Sequence, residues 1–187
     1  MTRRLFLTGR PGIGKTTVVK KTIERLSDRI VGFYTQEIRE NGMRTGFEIV
    51  TTWGERFPLA HISIRGPRVS RYGVSVQALE AIIPRMDSIR TGKILVIDEI
   101  GKMELLSNRF RRWVEDVLTS QQEILATIPI KSGDMVVKTI KKRYPVWEIT
   151  VENRDHIVYR IADFFLSPYP QVLNSNPAHI KGVHRTY

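Results

Sequence analysis

The stretch GRPGIGKT, Gly9 to Thr16, constrains this chain more than any other, because it matches G-x-x-x-x-G-K-[ST] at every fixed position. It follows a short apolar run, RLFLTG (4–9), that ends in glycine as a buried parallel strand does, and it precedes a helical pattern. A loop of this kind needs a strand on one side and a helix on the other, so it dictates an α/β arrangement around itself. Its glycines let the backbone take positive φ and gather several N–H groups on one set of phosphate oxygens. The helix starting near Gly14 or Lys15 turns its positive end to the same phosphates. Gly9, Arg10, Pro11, Gly12, Ile13, Gly14, Lys15 and Thr16, with Thr17 next in line, are therefore the candidate nucleotide-binding residues. Lys15 is placed to reach the β/γ oxygens, and Thr16 to coordinate Mg²⁺ through its hydroxyl.

The rest of the chain alternates in the way such a loop demands. Val19, Ile23, Leu26 and Ile30 form one helical stripe after the loop. IVGFYTQEI reads as a strand, joined through Asn41-Gly42 to RTGFEIVTT as a hairpin. In that register Arg39 faces Arg44, an unfavourable pair unless solvent or an anion separates them. Ser75 caps a helix carrying Val76, Leu79, Ile83 and Met86, with Pro84 expected to bend it. KILVID and EILATI are buried strands, and VWEITV is a further one. Ser107 caps a helix with Phe110, Trp113, Val114, Val117 and Leu118 on one face, and another helix lies around Met135–Ile140. The last helix is expected from about Arg154, with Ile157, Ile161, Phe164 and Phe165 inward. The pattern gives an α/β fold: a mainly parallel sheet covered on both sides, with one antiparallel β-hairpin insertion. One domain over residues 1–166 is expected, followed by a basic, extended or flexible tail over 167–187.

Composition narrows the chemistry. With no cysteine among 187 residues, disulfides, thiolate catalysis and cysteine metal sites are excluded. His61, His156, His179 and His184 lack the spacing of a zinc site. No apolar run approaches the ~20 residues that cross a bilayer, so no membrane association and a cytoplasmic setting are expected. The net charge is +11, concentrated in HISIRGPRVSRY (61–72), with Arg65, Arg68 and Arg71, and in the segment from Lys131 to KKRY. Either these form a solvated surface or they bind polyanions such as nucleotide phosphates or nucleic acid.

ILVIDEIGKME, Ile94 to Glu104, supplies the second half of a phosphate site. A phosphate loop needs an acid at the C-terminal end of a neighbouring buried strand to hold Mg²⁺, and Asp98 fits. Asp98 to Gly101 also reads as D-x-x-G, the spacing of GTP switch proteins, yet the chain has no N-K-x-D or T-K-x-D to read guanine. Glu99, directly after the metal-binding acid, suits a carboxylate that orients water in line with the γ-phosphate. Lys15, Asp98 and Glu99 are thus the candidate catalytic residues, and Thr16 and Asp98 the candidate metal ligands. Gly101 and Lys102 carry no role that spacing alone supplies.

TGRPGIGKTT, GFYTQEIRENGMRTGFEIVT, GPRVSRYGVSV, VIDEIGKMEL and VENRD, in this order, resemble the small nucleoside-triphosphatase family of thermophiles, related to the cancer-related nucleoside-triphosphatase of animals. The resemblance implies a three-layer phosphate-loop fold, RecA-like and of the additional-strand type. It further implies Mg²⁺-dependent hydrolysis of nucleoside triphosphates, ATP and GTP among them, with broad base preference. Gly9 to Thr16 would be the nucleotide loop and Leu95 to Lys102 the second nucleotide-contacting segment. Ser70 stands where the family pattern has glycine. Thr127, near the end of its strand, is either a polar group near the γ-phosphate or a plain strand threonine. Arg154 either reaches the phosphates or base, or starts the last helix. The alternatives to hydrolysis are a nucleotide or nucleic-acid kinase and a nucleic-acid-associated NTPase; the oligomeric state stays open.

Overall fold

The computed structural model describes residues 2–168, so the expected tail lies, but for Ser167 and Pro168, outside the described residues. Among the described residues nine strands form one sheet: β1 (Arg4–Thr8), β2 (Ile30–Glu40), β3 (Met43–Thr51), β4 (Arg56–His61), β5 (Arg68–Val69), β6 (Tyr72–Val74), β7 (Ile94–Asp98), β8 (Glu123–Thr127) and β9 (Val146–Glu148), in the order β5-β6-β4-β3-β2-β7-β8-β1-β9. Five α-helices accompany them among the described residues: α1 (Lys15–Leu26), α2 (Val76–Ile89), α3 (Asn108–Thr119), α4 (Met135–Arg143) and α5 (Ile157–Leu166). None of the described helices is long and apolar enough to cross a membrane.

Strands β2, β7, β8, β1 and β9 run parallel, and their side chains alternate between two cores. Phe6, Leu95, Ile97, Ile124 and Ala126 point to the face covered by α2, α3 and α4. Leu5, Leu7, Ile94, Val96 and Leu125 point to the face covered by α1 and α5. Both faces are buried, which is why β1, β7 and β8 read as nearly unbroken apolar runs rather than alternating ones. Phe33 of β2 meets Phe110 of α3 at 6.2 Å and 61°, an edge-on contact worth about 0.5–1.5 kcal/mol beyond its buried area.

The expected hairpin is part of a larger antiparallel wing, since β3, β4, β6 and β5 extend the sheet beyond β2. Asn41 and Gly42 take φ of 49° and 79°, as a two-residue turn with the strands' own twist requires. Arg39 does face Arg44, and an anion separates them: Glu37 takes Arg39 at 2.6 Å and Arg44 at 2.7 Å. A second tight turn joins β5 to β6 through Ser70-Arg71, with Ser70 at φ 55°.

Three boundaries depart from expectation. Helix α1 stops at Leu26, where Ser27 takes φ 39°, so Ile30 leaves the helical stripe and opens β2. Ile30 still packs in the core that holds Val19 and Leu26, which explains the misleading spacing. Strand β9 ends at Glu148 because Asn153 captures the backbone: its amide donates to the Glu148 carbonyl at 2.8 Å and its oxygen accepts from Thr150 N at 2.9 Å. That turn delays α5 to Ile157 and leaves Arg154 outside it. Helix α2 runs unbroken through Pro84.

Candidate functional site

The phosphate loop leaves β1 at Thr8 and enters α1 at Lys15. Gly14 is the N-cap at φ 107° and offers no side chain to the first turn, so the helix presents its own N–H groups there. Gly12 takes φ 77°, and an added Cβ would meet nothing within 4 Å, so the loop's hollow opens outward at this point. The Lys15 ammonium folds back to the Gly9 carbonyl at 3.1 Å, spanning the loop it is expected to serve.

Asp98 ends β7, but β7 is not the neighbour of β1; β8 lies between them. The two halves of the site nevertheless meet. Thr16 donates its hydroxyl to Asp98 Oδ2 at 2.7 Å, while Thr127, at the end of β8, donates a short hydrogen bond to Oδ1. Asp98 is 2% exposed and Thr127 fully buried. Burial pushes the Asp98 carboxyl up, opposed by the Thr127 and Thr16 hydrogen bonds and the Lys15 charge. A hydroxyl and a carboxylate converging from loop and strand are the protein donors that a phosphate-bound hard cation uses, the remaining positions going to phosphate and water. Among the described residues no group of three His, Asp or Glu side chains could hold a metal by itself.

The Asp98–Glu99 peptide is cis. The Glu99 carboxyl is half-buried and is pushed up first by that burial and then by Asp98, with Lys15 pulling it down. Behind it the chain is pinned twice. Ile100 N donates to the Thr127 carbonyl at 2.9 Å, and Gly101 N donates to Glu104 Oε2 at 3.1 Å. Glu104, 4% exposed, is pushed up to about 8 by burial first and then by Glu99. An added Cβ on Gly101 would lie 2.8 Å from Glu99 Cγ and 3.0 Å from Cδ, and closer still to Oε1. The missing side chain at 101 is the space that the Glu99 carboxylate occupies.

Arg154 does not begin the last helix. With Asp155 it lines a crevice whose other wall is Ile13, Gly14, Thr17, Val18 and Lys21, and it follows β9, which flanks β1 on the side away from β7. Arg65, Arg68 and Arg71 are exposed and sit at the opposite end of the sheet. Counting from β6 through β4, β3, β2, β7 and β8 to β1, the sheet puts roughly 29 Å between that basic turn and the phosphate loop. Glu104 was not marked by any spacing in the sequence; a carboxylate inside the apolar run after Lys102 was the available signal.

Comparison with known proteins agrees on one family. The NTPase family model matches residues 4–162. The nucleoside-triphosphatase THEP1 of Thermotoga petrophila is 44% identical over 163 residues, covering 84% of this chain and 90% of its own. The crystal structure of THEP1 from the hyperthermophile Aquifex aeolicus is similar at a TM-score of 0.73 and 39% identity, over 84% of this chain and 96% of that one. The solution structure of a human cancer-related nucleoside triphosphatase is similar at 0.75 and 35% identity, over 89% and 99%.

Proposed function

The chain belongs to the NTPase family, and from that premise we propose that it hydrolyses nucleoside triphosphates to nucleoside diphosphate and phosphate, with Mg²⁺ and with broad base preference. The observation that carries this reading is the Thr16–Asp98 contact at 2.7 Å, which joins the phosphate loop to an acid two strands away. The interposed β8 supports the finer fold reading, a RecA-like sheet with an additional strand between loop and acid.

In this reading Gly9 to Thr17 cradle the phosphates through backbone N–H groups, and Lys15 leaves the Gly9 carbonyl for the β/γ oxygens. Thr16 and Asp98 hold Mg²⁺, which offsets the charge on the phosphate oxygens. Glu99 orients the attacking water and accepts its hydrogen bond; in the metal-free site burial and then Asp98 push its carboxyl up while Lys15 pulls it down. Arg154 lines a crevice beside the loop with Ile13, Gly14 and Thr17, which supports its reading as a contact for phosphate or for the face of any base. No guanine-reading motif accompanies it, which accords with loose base preference.

The test is a panel of nucleoside triphosphates with Mg²⁺, following phosphate release, with and without nucleosides, monophosphates and RNA. Free phosphate from several triphosphates, lost in both Lys15→Ala and Glu99→Gln while Glu99→Gln still binds Mg-nucleotide, is the expected result. Phosphorylated acceptor in place of free phosphate would replace hydrolysis by kinase activity. Turnover stimulated by RNA with steep salt dependence would favour a nucleic-acid-associated enzyme.

A further inference from the structure

We propose that Glu104 and Gly101 form a positioning pair for Glu99: the Glu104 side chain clamps the Gly101 backbone, and Gly101 in turn forms the seat of the Glu99 carboxylate. The proposal rests on the reading of Glu99 as the residue that orients water, and it concerns residues that need not touch substrate themselves.

Three backbone groups of the segment after Glu99 are held. Ile100 N is tied to the Thr127 carbonyl at 2.9 Å. Gly101 N is tied to Glu104 Oε2 at 3.1 Å, and the Gly101 carbonyl accepts from Leu105 N at 3.0 Å. The helical turn Glu104–Leu106 is braced from outside by Arg111, which donates to the Leu105 carbonyl at 3.1 Å and pairs with Asp134 at 2.7 Å. Glu99 is thus carried on a stretch anchored to β8 on one side and to Glu104 on the other. Its carboxylate lies over the Gly101 Cα, where any added side chain would have to displace it.

The choice of side chain at 104 is hard to explain by stability alone. A carboxyl buried to 4% exposure beside Asp98 and Glu99 is in an unfavourable field, and an apolar residue would fill the space at less electrostatic cost. A single backbone N–H needs an acceptor there, and a side chain reaching back three residues supplies it. Gly101 is not at positive φ, so its lack of a side chain answers to the space above it and not to a backbone requirement.

The experiment measures kcat and KM for Mg-nucleotide in Glu104→Leu, Glu104→Gln and Gly101→Ala, each alone and combined with Glu99→Gln. Glu104→Leu removes the acceptor at similar volume and is expected to lower kcat by roughly tenfold or more with little change in KM, since a displaced catalytic group loses rate before it loses binding. Glu104→Gln keeps an acceptor oxygen and is expected to restore most of that turnover. Gly101→Ala pushes on Glu99 directly and is expected to lower kcat without weakening nucleotide binding. On the Glu99→Gln background neither change is expected to cost more than about a further twofold, because both act through Glu99. Should Glu104→Leu fail to fold, Gly101→Ala decides the matter alone. If Glu99→Gln loses turnover while the folded 101 and 104 variants keep theirs, the positioning pair is wrong and the role of Glu99 stands. If Glu99→Gln itself keeps turnover, both fall.

Discussion

Thr127 and Asp98 meet across the parallel β7–β8 pair, the hydroxyl of one strand end held by the carboxylate of the next. Asp98 therefore has both oxygens engaged, one by Thr16 and one by Thr127, and a fixed orientation before any cation arrives. Thr127→Val keeps the shape and removes the donor. We expect the Mg²⁺ concentration needed for half-maximal turnover to rise by roughly tenfold or more, as loss of a ligand's supporting hydrogen bond typically does. A Mg²⁺ titration at saturating nucleotide reads this directly. An unchanged midpoint would return Thr127 to a plain strand threonine.

Glu104 makes stability depend on pH in a direction opposite to that of an ion-paired acid. Its folded-state pKa of about 8 lies above the ordinary 4.5, so between those values the folded chain keeps a proton that the unfolded chain releases. Stability is then greatest below about pH 4.5 for this group and falls by at most ~1.4 kcal/mol per unit until the folded carboxyl ionises near 8. Asp98 and Glu99, also raised, act in the same sense. Urea unfolding without metal or nucleotide, across neutral pH, is expected to show a shallower decline in Glu104→Gln than in the parent. Parallel curves would mean that Glu104 is ionised throughout.

The β5–β6 turn carries Ser70 at φ 55°, the first central position, where the hairpin turn of this handedness favours glycine. A side chain there costs energy that glycine avoids, partly offset by the greater freedom of glycine in the unfolded chain. Ser70→Gly is expected to stabilise by about 0.5–1 kcal/mol and leave turnover untouched. Thermal and urea unfolding would detect it; a destabilised variant would show that the serine side chain holds the turn.

Glu37 sits between two arginines that face each other across the hairpin. Its carboxyl is held below the ordinary range by the hydrogen bond from Arg44 first and then by that from Arg39. All three side chains are substantially exposed, so the bridge is worth only about 0.2–1 kcal/mol, and salt screens it. Glu37→Gln should lower stability by that amount at low salt and by less at high salt. A loss independent of salt would assign Glu37 a packing role.

The loop and the strands around it were legible because their signals are local. Gly9 to Thr16 is a contiguous pattern, the parallel strands are short apolar runs, and Asn41-Gly42 declares its own turn. The antiparallel wing was not legible as such, and β4 shows why. RFPLAH contains Pro58, which breaks strands, yet here it pairs with Glu48 beside the register shift at Phe47/Glu48, where a missing N–H is tolerated. Thr127 was marked only as one of two alternatives, and Glu104 not at all, for another reason. Each acquires its partner only when β8 is laid beside β7 and the chain after β7 folds back, and no spacing within one segment records that. Asp98 was found, but as the end of an adjacent strand; which strand stands between is a matter of sheet order and not of local pattern.

That intervening strand acts as a ruler. Two inter-strand spacings, roughly 9.6 Å, lie between the backbone that launches the phosphate loop and the backbone that ends in Asp98. Ladders on both flanks of β8 hold that width, and packed helices on both faces resist its change. The gauge between loop and acid is therefore set by the backbone ladders of β8 and not by the side chains that meet across it.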